Sequence, residues 1–169
     1  MTSTTVTPTE EIKIPNRMRV IKSLAEGSTL KLPLKDGLKY INKRLDNDWI
    51  SFKPVFTGGQ KKNSVAYVNW TDISLILDYV FDFDWTIRYD IKQADEYIIV
   101  MATLTVTGSD NKSKTVDGIG NEALKDSAYG GAVCGANAQA FRRAAALLGL
   151  GRYLYYPKSI PATTNNNSD

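Results

Sequence analysis

The residues most open to chemical interpretation in this chain are two adjacent cations, Arg142 and Arg143. They sit within AYGGAVCGANAQAFRRAAALLGLGRYLYY, residues 128–156, a run of small and apolar side chains with an aromatic end. Turning at about 100° per residue, as a helix does, Tyr129, Val133, Ala136, Ala140, Ala144 and Leu147 fall on one side. Cys134, Phe141 and Leu148 extend that side into a core-facing stripe, and Gly131, Gly135, Ala138, Arg142 and Ala146 fall opposite it. A face so bare admits a second backbone, either a packed helix or a nucleic-acid strand, and Arg142 would meet whatever arrives. Arg143 lies near the edge of the stripe, where an acidic neighbour is an alternative partner. Tight helix packing with solvated arginines fits the same pattern as a phosphate-tracking groove.

Holding a single strand takes a positive groove for phosphates and flat groups or open space for bases, each stacked base contributing about 1–3 kcal/mol. Lys53, Lys61 and Lys62 join Arg142 and Arg143 as the cations that could line such a groove. A net charge of +3 permits an anionic partner without requiring one.

Several chemistries are excluded. The chain has no histidine, which removes Ser-His-Asp and Cys-His catalysis, histidine zinc sites and the usual general base near neutral pH. Its single cysteine, Cys134, allows neither an internal disulfide nor a cysteine metal cluster, and reads as a small buried hydrophobe of the helix stripe. No G-x-x-x-x-G-K-[ST] loop is present, and no cofactor is expected. Residues 118–123, GIGNEA, match a dinucleotide fingerprint, but that motif belongs in a parallel βαβ unit. Here the glycines read instead as bending a strand into the helix that follows. Asp110-Asn111-Lys112 copies half of a nuclease D-x-K site, with Asp82, Asp84 and Asp117 as candidate metal ligands. A turn is a poor platform for a rigid metal site, and Asp and Asn favour turns anyway.

The elements that must position these groups can be read in order. Residues 1–16 form a Thr-, Glu- and Pro-rich arm, and 159–169 a Pro-, Thr- and Asn-rich tail, leaving 17–158 as one domain. Leu38, Ile41 and Leu45 mark a short amphipathic helix. A strand at 49–56 with Pro54 at an edge or bulge precedes a polar loop, 57–63, and a second short strand, 65–68. Asn69 fits a helix N-cap, with Asp72 as a partial capping box, and the helix runs to about Phe81 before Asp82-Phe83-Asp84 breaks it. Strands at 85–92, 96–107 and 114–119, joined by short turns, predict an antiparallel meander. The fold class is therefore α+β: an antiparallel β-meander sheet packed against a long C-terminal helix and a shorter helix.

AFRRAAALLGLGRYLY resembles the signature of the single-strand annealing proteins of the Rad fifty-two type, most closely their bacterial DdrA-like branch. Tyr67-Val68-Asn69-Trp70, Phe83-Asp84-Trp85, the meander and Gly118-Ile119-Gly120 follow in the order of that family, so the resemblance spans about residues 38–156. It implies a non-enzymatic protein of recombination and repair that binds and anneals single-stranded DNA as a homo-oligomeric ring. Arg142 and Arg143 match the family's basic pair, while Lys53, Lys61 and Lys62 match its strand-and-loop cations only loosely. Tyr67 resembles a family tyrosine near the DNA groove, and Lys112, Lys114 and Lys125 fall in regions comparable to the family's outer DNA site. Hairpin-tip lysines also serve solubility alone, and a half-buried strand tyrosine serves a core. Eukaryotic relatives carry a further cation where this chain has Ala146, a role Arg152 could take over. A metal-dependent DNA nuclease and passive DNA-end protection are the alternatives. A single-strand-binding or nuclease protein is a further candidate partner. With no apolar run long enough to cross a bilayer and no leader pattern, cytoplasmic residence is expected, at a bacterial nucleoid or in a phage-infected cell.

Overall fold

The computed structural model describes residues 14–57, 60–124 and 129–156, with backbone alone at 55–57, 60–63 and 129. Helices α1 (Arg17–Ala25) and α2 (Leu34–Ile41) lead through a 3-10 turn, Asn47–Trp49, into the hairpin β1 (Ile50–Thr57) and β2 (Gln60–Val68). Helix α3 (Trp70–Phe81) follows, then β3 (Trp85–Ala94), β4 (Tyr97–Thr107), β5 (Ser113–Ala123), helix α4 (Tyr129–Leu148) and a second 3-10 turn, Arg152–Tyr155. The strands form two separate antiparallel sheets, β1-β2 and the meander β3-β4-β5. The expected α+β class and meander are therefore what the chain adopts.

The meander alternates as a one-sided sheet should. Ile98, Val100, Ala102, Leu104 and Val106 of β4 are fully buried under α4, while Thr103, Thr105 and Thr107 on the opposite face bond to Asp117, Thr115 and Ser113 of β5. Gly118 and Gly120 do not bend the strand into the helix as expected. They lie in the middle of β5, opposite Ala102 and Val100. A Cβ on Gly118 would land on the Ala140 carbonyl, and one on Gly120 on the Ala136 carbonyl. The glycines thus let the α4 backbone rest on the sheet backbone, a close approach that only a residue without Cβ permits.

The same contact sets the rotation of α4. Its fully buried row is Ala132, Ala136, Ala140 and Ala144, with Phe141, Ala145 and Leu148 turned into the larger core. Cys134 is exposed and Leu147 is 55% exposed, so the expected stripe was rotated at both of these positions. Ala146, assigned to the bare outer side, is buried. The second core gathers Trp49, Phe81, Ile73, Ile76, Leu77 and Val80 beneath α3, where Trp85 stacks on Phe141 at 5.7 Å between ring centroids.

Three further local differences have physical causes. Helix α1 was not expected, because only Val20 on it is buried. Its start is held by neighbours: Asn16 accepts from the Arg19 amide and Asp48 from the Arg17 amide at 2.7 Å. Ile14 is fully buried and Pro15 accepts from the Trp49 indole at 2.9 Å, so Ile14–Asn16 belong to the fold rather than to an arm. Residues 60–63, expected in a loop, continue β2, with a bulge where Lys61 pairs with Phe56 and Asn63 with Val55, one residue beyond Pro54. Asn69 occupies the α3 cap position without a side-chain cap bond. Asp72 forms no capping box. It is buried with Arg17 Nε 2.8 Å from Oδ1, an ion pair out of line for a hydrogen bond. Burial raises the Asp72 carboxyl above the usual range and Arg17 draws it back down.

Candidate nucleic-acid interface

Helix α4 ends in a Schellman-type stop. The Leu150 amide donates to the Ala145 carbonyl and the Gly149 amide to that of Ala146, with Gly149 at φ 121°. This turn aims the 3-10 segment back along the helix. Arg152 then donates from Nε to the Ala146 carbonyl at 2.9 Å and from Nη2 to the Leu147 carbonyl at 2.6 Å. A cation at the carbonyl end of a helix is favourable on its own account, so Arg152 serves first as a cap. Side chains three apart on a 3-10 turn eclipse, which puts Tyr155 on the same side as Arg152.

The basic pair splits over two environments. Arg142 is half-buried, its guanidinium 5.1 Å above the centroid of the Tyr67 ring, within cation–π range. Arg143 is exposed and donates from Nη1 to the Ile119 carbonyl of β5 at 2.5 Å, in place of the acidic partner considered for it. Tyr155 stands between them. Burial pushes its phenol upward, and the charges of both Arg142 and Arg143 pull it the other way. Tyr67, Arg142 and Tyr155 share one crevice with Leu150 and Leu154. On the other side of Tyr155 an open groove of about 630 Å³ is lined by Arg143, Arg152, Leu147, Tyr155, Tyr156 and β5 residues 117–119.

Lys53 is exposed on the hairpin face that carries Tyr67, because Ser51 pairs with Tyr67 and Lys53 with Val65 one step along the ladder. The side chains of Lys61 and Lys62, and the whole of Lys125, lie outside the described residues. Lys112, at the β4–β5 turn, is 3.4 Å from Asp110, and Lys114 is exposed four residues along β5 from Gly118. The structure therefore brings together Arg142, Arg143, Arg152 and Tyr67, leaves Lys53 beside them, and sets Lys112 and Lys114 at the sheet's turn end. Tyr155 and Tyr156 were not among the residues the sequence singled out. They are 51% and 62% exposed. The three-residue period of RYLY was the signal that could have found Tyr155.

Three of the four carboxylates of the nuclease reading, Asp82, Asp110 and Asp117, have other work. Asp82 accepts from Thr29 at 2.7 Å and lies 3.2 Å from Lys31 Nζ, and those two partners hold it below the usual range. Asp110 accepts from the Leu34 amide at the start of α2, and Asp117 from Thr103. Among the described residues no three His, Cys, Asp or Glu are grouped to hold a metal. None of the described helices is long and apolar enough to cross a membrane.

No protein-family model matches the chain. It is 28% identical over 135 residues, 79% of this chain and 73% of the relative, to the DNA repair RAD52-like protein 1, mitochondrial, of Arabidopsis thaliana. That likeness supports placement in the Rad52-type superfamily.

Proposed function

We propose that the chain binds single-stranded DNA along the C-terminal half of α4 and anneals it to a complementary strand, as a non-enzymatic protein of DNA repair and recombination. The observation that carries this reading is the cluster Tyr67, Arg142, Tyr155 and Arg143, in which cations alternate with aromatic rings at an exposed helix end. Phosphate-tracking grooves with stacking surfaces take this form, and sequence-independent strand binding follows from it. The similarity to a DNA repair RAD52-like protein supports the same reading, and the terminal GLGRYLY turn is what points to the DdrA-like branch.

Assembly into a ring is part of the proposal. Tyr97 and Met101 on the open sheet face, and Tyr89 and Ile91 on edge strand β3, are all exposed. Large apolar side chains along an unpaired edge favour association with further copies. Light scattering behind size exclusion should give a mass many times 18.7 kDa. A monomer at micromolar concentration would rule the ring out.

The deciding experiment measures binding of labelled single-stranded and duplex oligonucleotides across a salt series, then annealing of complementary strands. Single strands should bind more tightly than duplex, with log K falling by about 0.7 per log unit of salt for each phosphate neutralised. Binding without faster annealing would leave end protection as the function. Shortening of the strands in magnesium would mean a nuclease.

A further inference from the structure

The groove beside Tyr155 has a composition that phosphate binding alone does not explain. Its arginines sit at the rim, where Arg143 and Arg152 are each anchored to a backbone carbonyl. Its wall is apolar and open, with Leu147 55% and Tyr155 51% exposed, and β5 lends its edge at residues 117–119, where the Ile119 side chain is on the sheet face away from α4. A helix-end leucine gains nothing from that exposure in an isolated chain. At about 630 Å³ the space lies within the roughly 300–1,000 Å³ of pockets that take small organic groups. Asp117 is the one acid in the lining, and its carboxylate is engaged by the Thr103 hydroxyl.

We infer that this groove is a base-stacking site: nucleobases of the bound single strand stack on Tyr155 beside Leu147 while the adjoining phosphates lie along Arg142 and Arg143. The inference rests on the proposed single-strand binding and goes beyond it, because it makes α4 grip bases as well as backbone. Charge complementarity selects the occupant, since a flat apolar group attached to an anionic backbone fits an apolar wall with a cationic rim. Tyr155 lines both the Arg142 crevice and the Arg143 groove, which makes it the ring next to both cations. Stacking covers the faces of a base and leaves its Watson–Crick edge free for a complementary strand.

The test compares a thymine oligonucleotide with an abasic one of the same length at one salt concentration, using the full chain. Wild-type protein should bind the thymine strand more tightly by about 5- to 150-fold per stacked base, the equivalent of a base–aromatic contact. Tyr155→Ala should remove most of the difference between the thymine and abasic strands and keep the salt slope. Tyr155→Leu, which preserves an apolar side chain against Leu154, should do the same, and Tyr155→Phe should restore the discrimination. Equal wild-type affinity for the two strands would overturn the site while leaving single-strand binding intact. So would a folded Tyr155→Leu variant weakened equally on both. Failure to bind either strand would instead overturn the proposed function itself.

Discussion

On the side of α4 that meets the sheet, Ala132, Ala136, Ala140 and Ala144 are completely buried against Gly118 and Gly120. Its other flank, a few residues further along the same helix, exposes Leu147 and Arg143 and half-exposes Arg142. The first region is written in small residues, the second in a leucine and two arginines. Against the sheet the small residues bring two backbones into contact. Toward solvent the two arginines are fixed by Tyr67 and the Ile119 carbonyl. The lesson is that a bare helical surface marks close approach of a backbone, and the partner backbone here is the chain's own β5. The cations are the residues that carry information about what lies outside.

If that division is right, removing the segment after the helix should cost most. Truncation after Gly149 deletes Leu150, which is 2% exposed, the partly buried Leu154 and the Tyr153 hydroxyl that accepts from the Leu45 amide. It also strips both Arg152 bonds from the end of α4. At about 1.5–3 kcal/mol for a fully buried leucine, against a total of about 5–15 kcal/mol, the truncated chain should be unfolded. Removing 159–169 should leave the melting temperature nearly unchanged. Equal melts for the two truncations would mean that the 3-10 turn merely rests on the domain.

Next in size are Gly118→Val and Gly120→Val, which place side-chain atoms on helix carbonyls and should each cost about 3 kcal/mol, the upper end of overpacking effects. Denaturant midpoints measure this. Any loss of DNA binding in these variants should vanish once the remaining folded fraction is accounted for. Wild-type stability in both would mean that α4 can lift from the sheet at no cost, and the comparison would fail on its packing side.

Arg142→Ala probes the other side and should separate the two regions cleanly. Without the guanidinium over Tyr67 the domain should be less stable by about 0.5–2 kcal/mol. The salt dependence of single-strand binding should become shallower by about 0.7 for each phosphate that Arg142 neutralises. Arg143→Ala should weaken binding less, since part of its donor capacity is already spent on Ile119. Two folded variants that bind like wild type would remove the basic pair from the interface.

The fold was legible because its signals are local: the short turns that join β3, β4 and β5, and the Asp82-Phe83-Asp84 break after α3. Arg142 was legible as a cation on a bare helical face, whereas Tyr67 was a candidate through the resemblance to the annealing proteins. What escaped was anything decided by tertiary partners. Helix α1 takes its first-turn acceptor from Asp48, thirty-one residues away. Asp72 looked like a cap residue and turned instead to Arg17. The rotation of α4 depended on which strand carried glycines opposite it, and a stripe counted at a fixed angle per residue cannot know that. Tyr155 did not stand out in an aromatic run whose Leu150 and Leu154 go to the core.

Cys134 gives the smallest effect and the most direct check on that rotation. A stripe that included Cys134 would bury it, and Cys134→Ser would then set a hydroxyl among apolar groups at about 1–3 kcal/mol. In the structure the thiol is exposed, beside Trp70, Tyr89, Asn137 and Phe141. Cys134→Ser should therefore shift stability by no more than about 0.5 kcal/mol, as surface substitutions do. A soluble disulfide reagent should titrate one thiol per chain in the native protein at a rate close to that in urea. Protection in a dilute sample, where the chain is monomeric, would return Cys134 to the core and turn α4 back toward the orientation its sequence alone implies. Protection that appears only as the concentration rises would place Cys134 between copies, and leave the rotation of α4 as it stands.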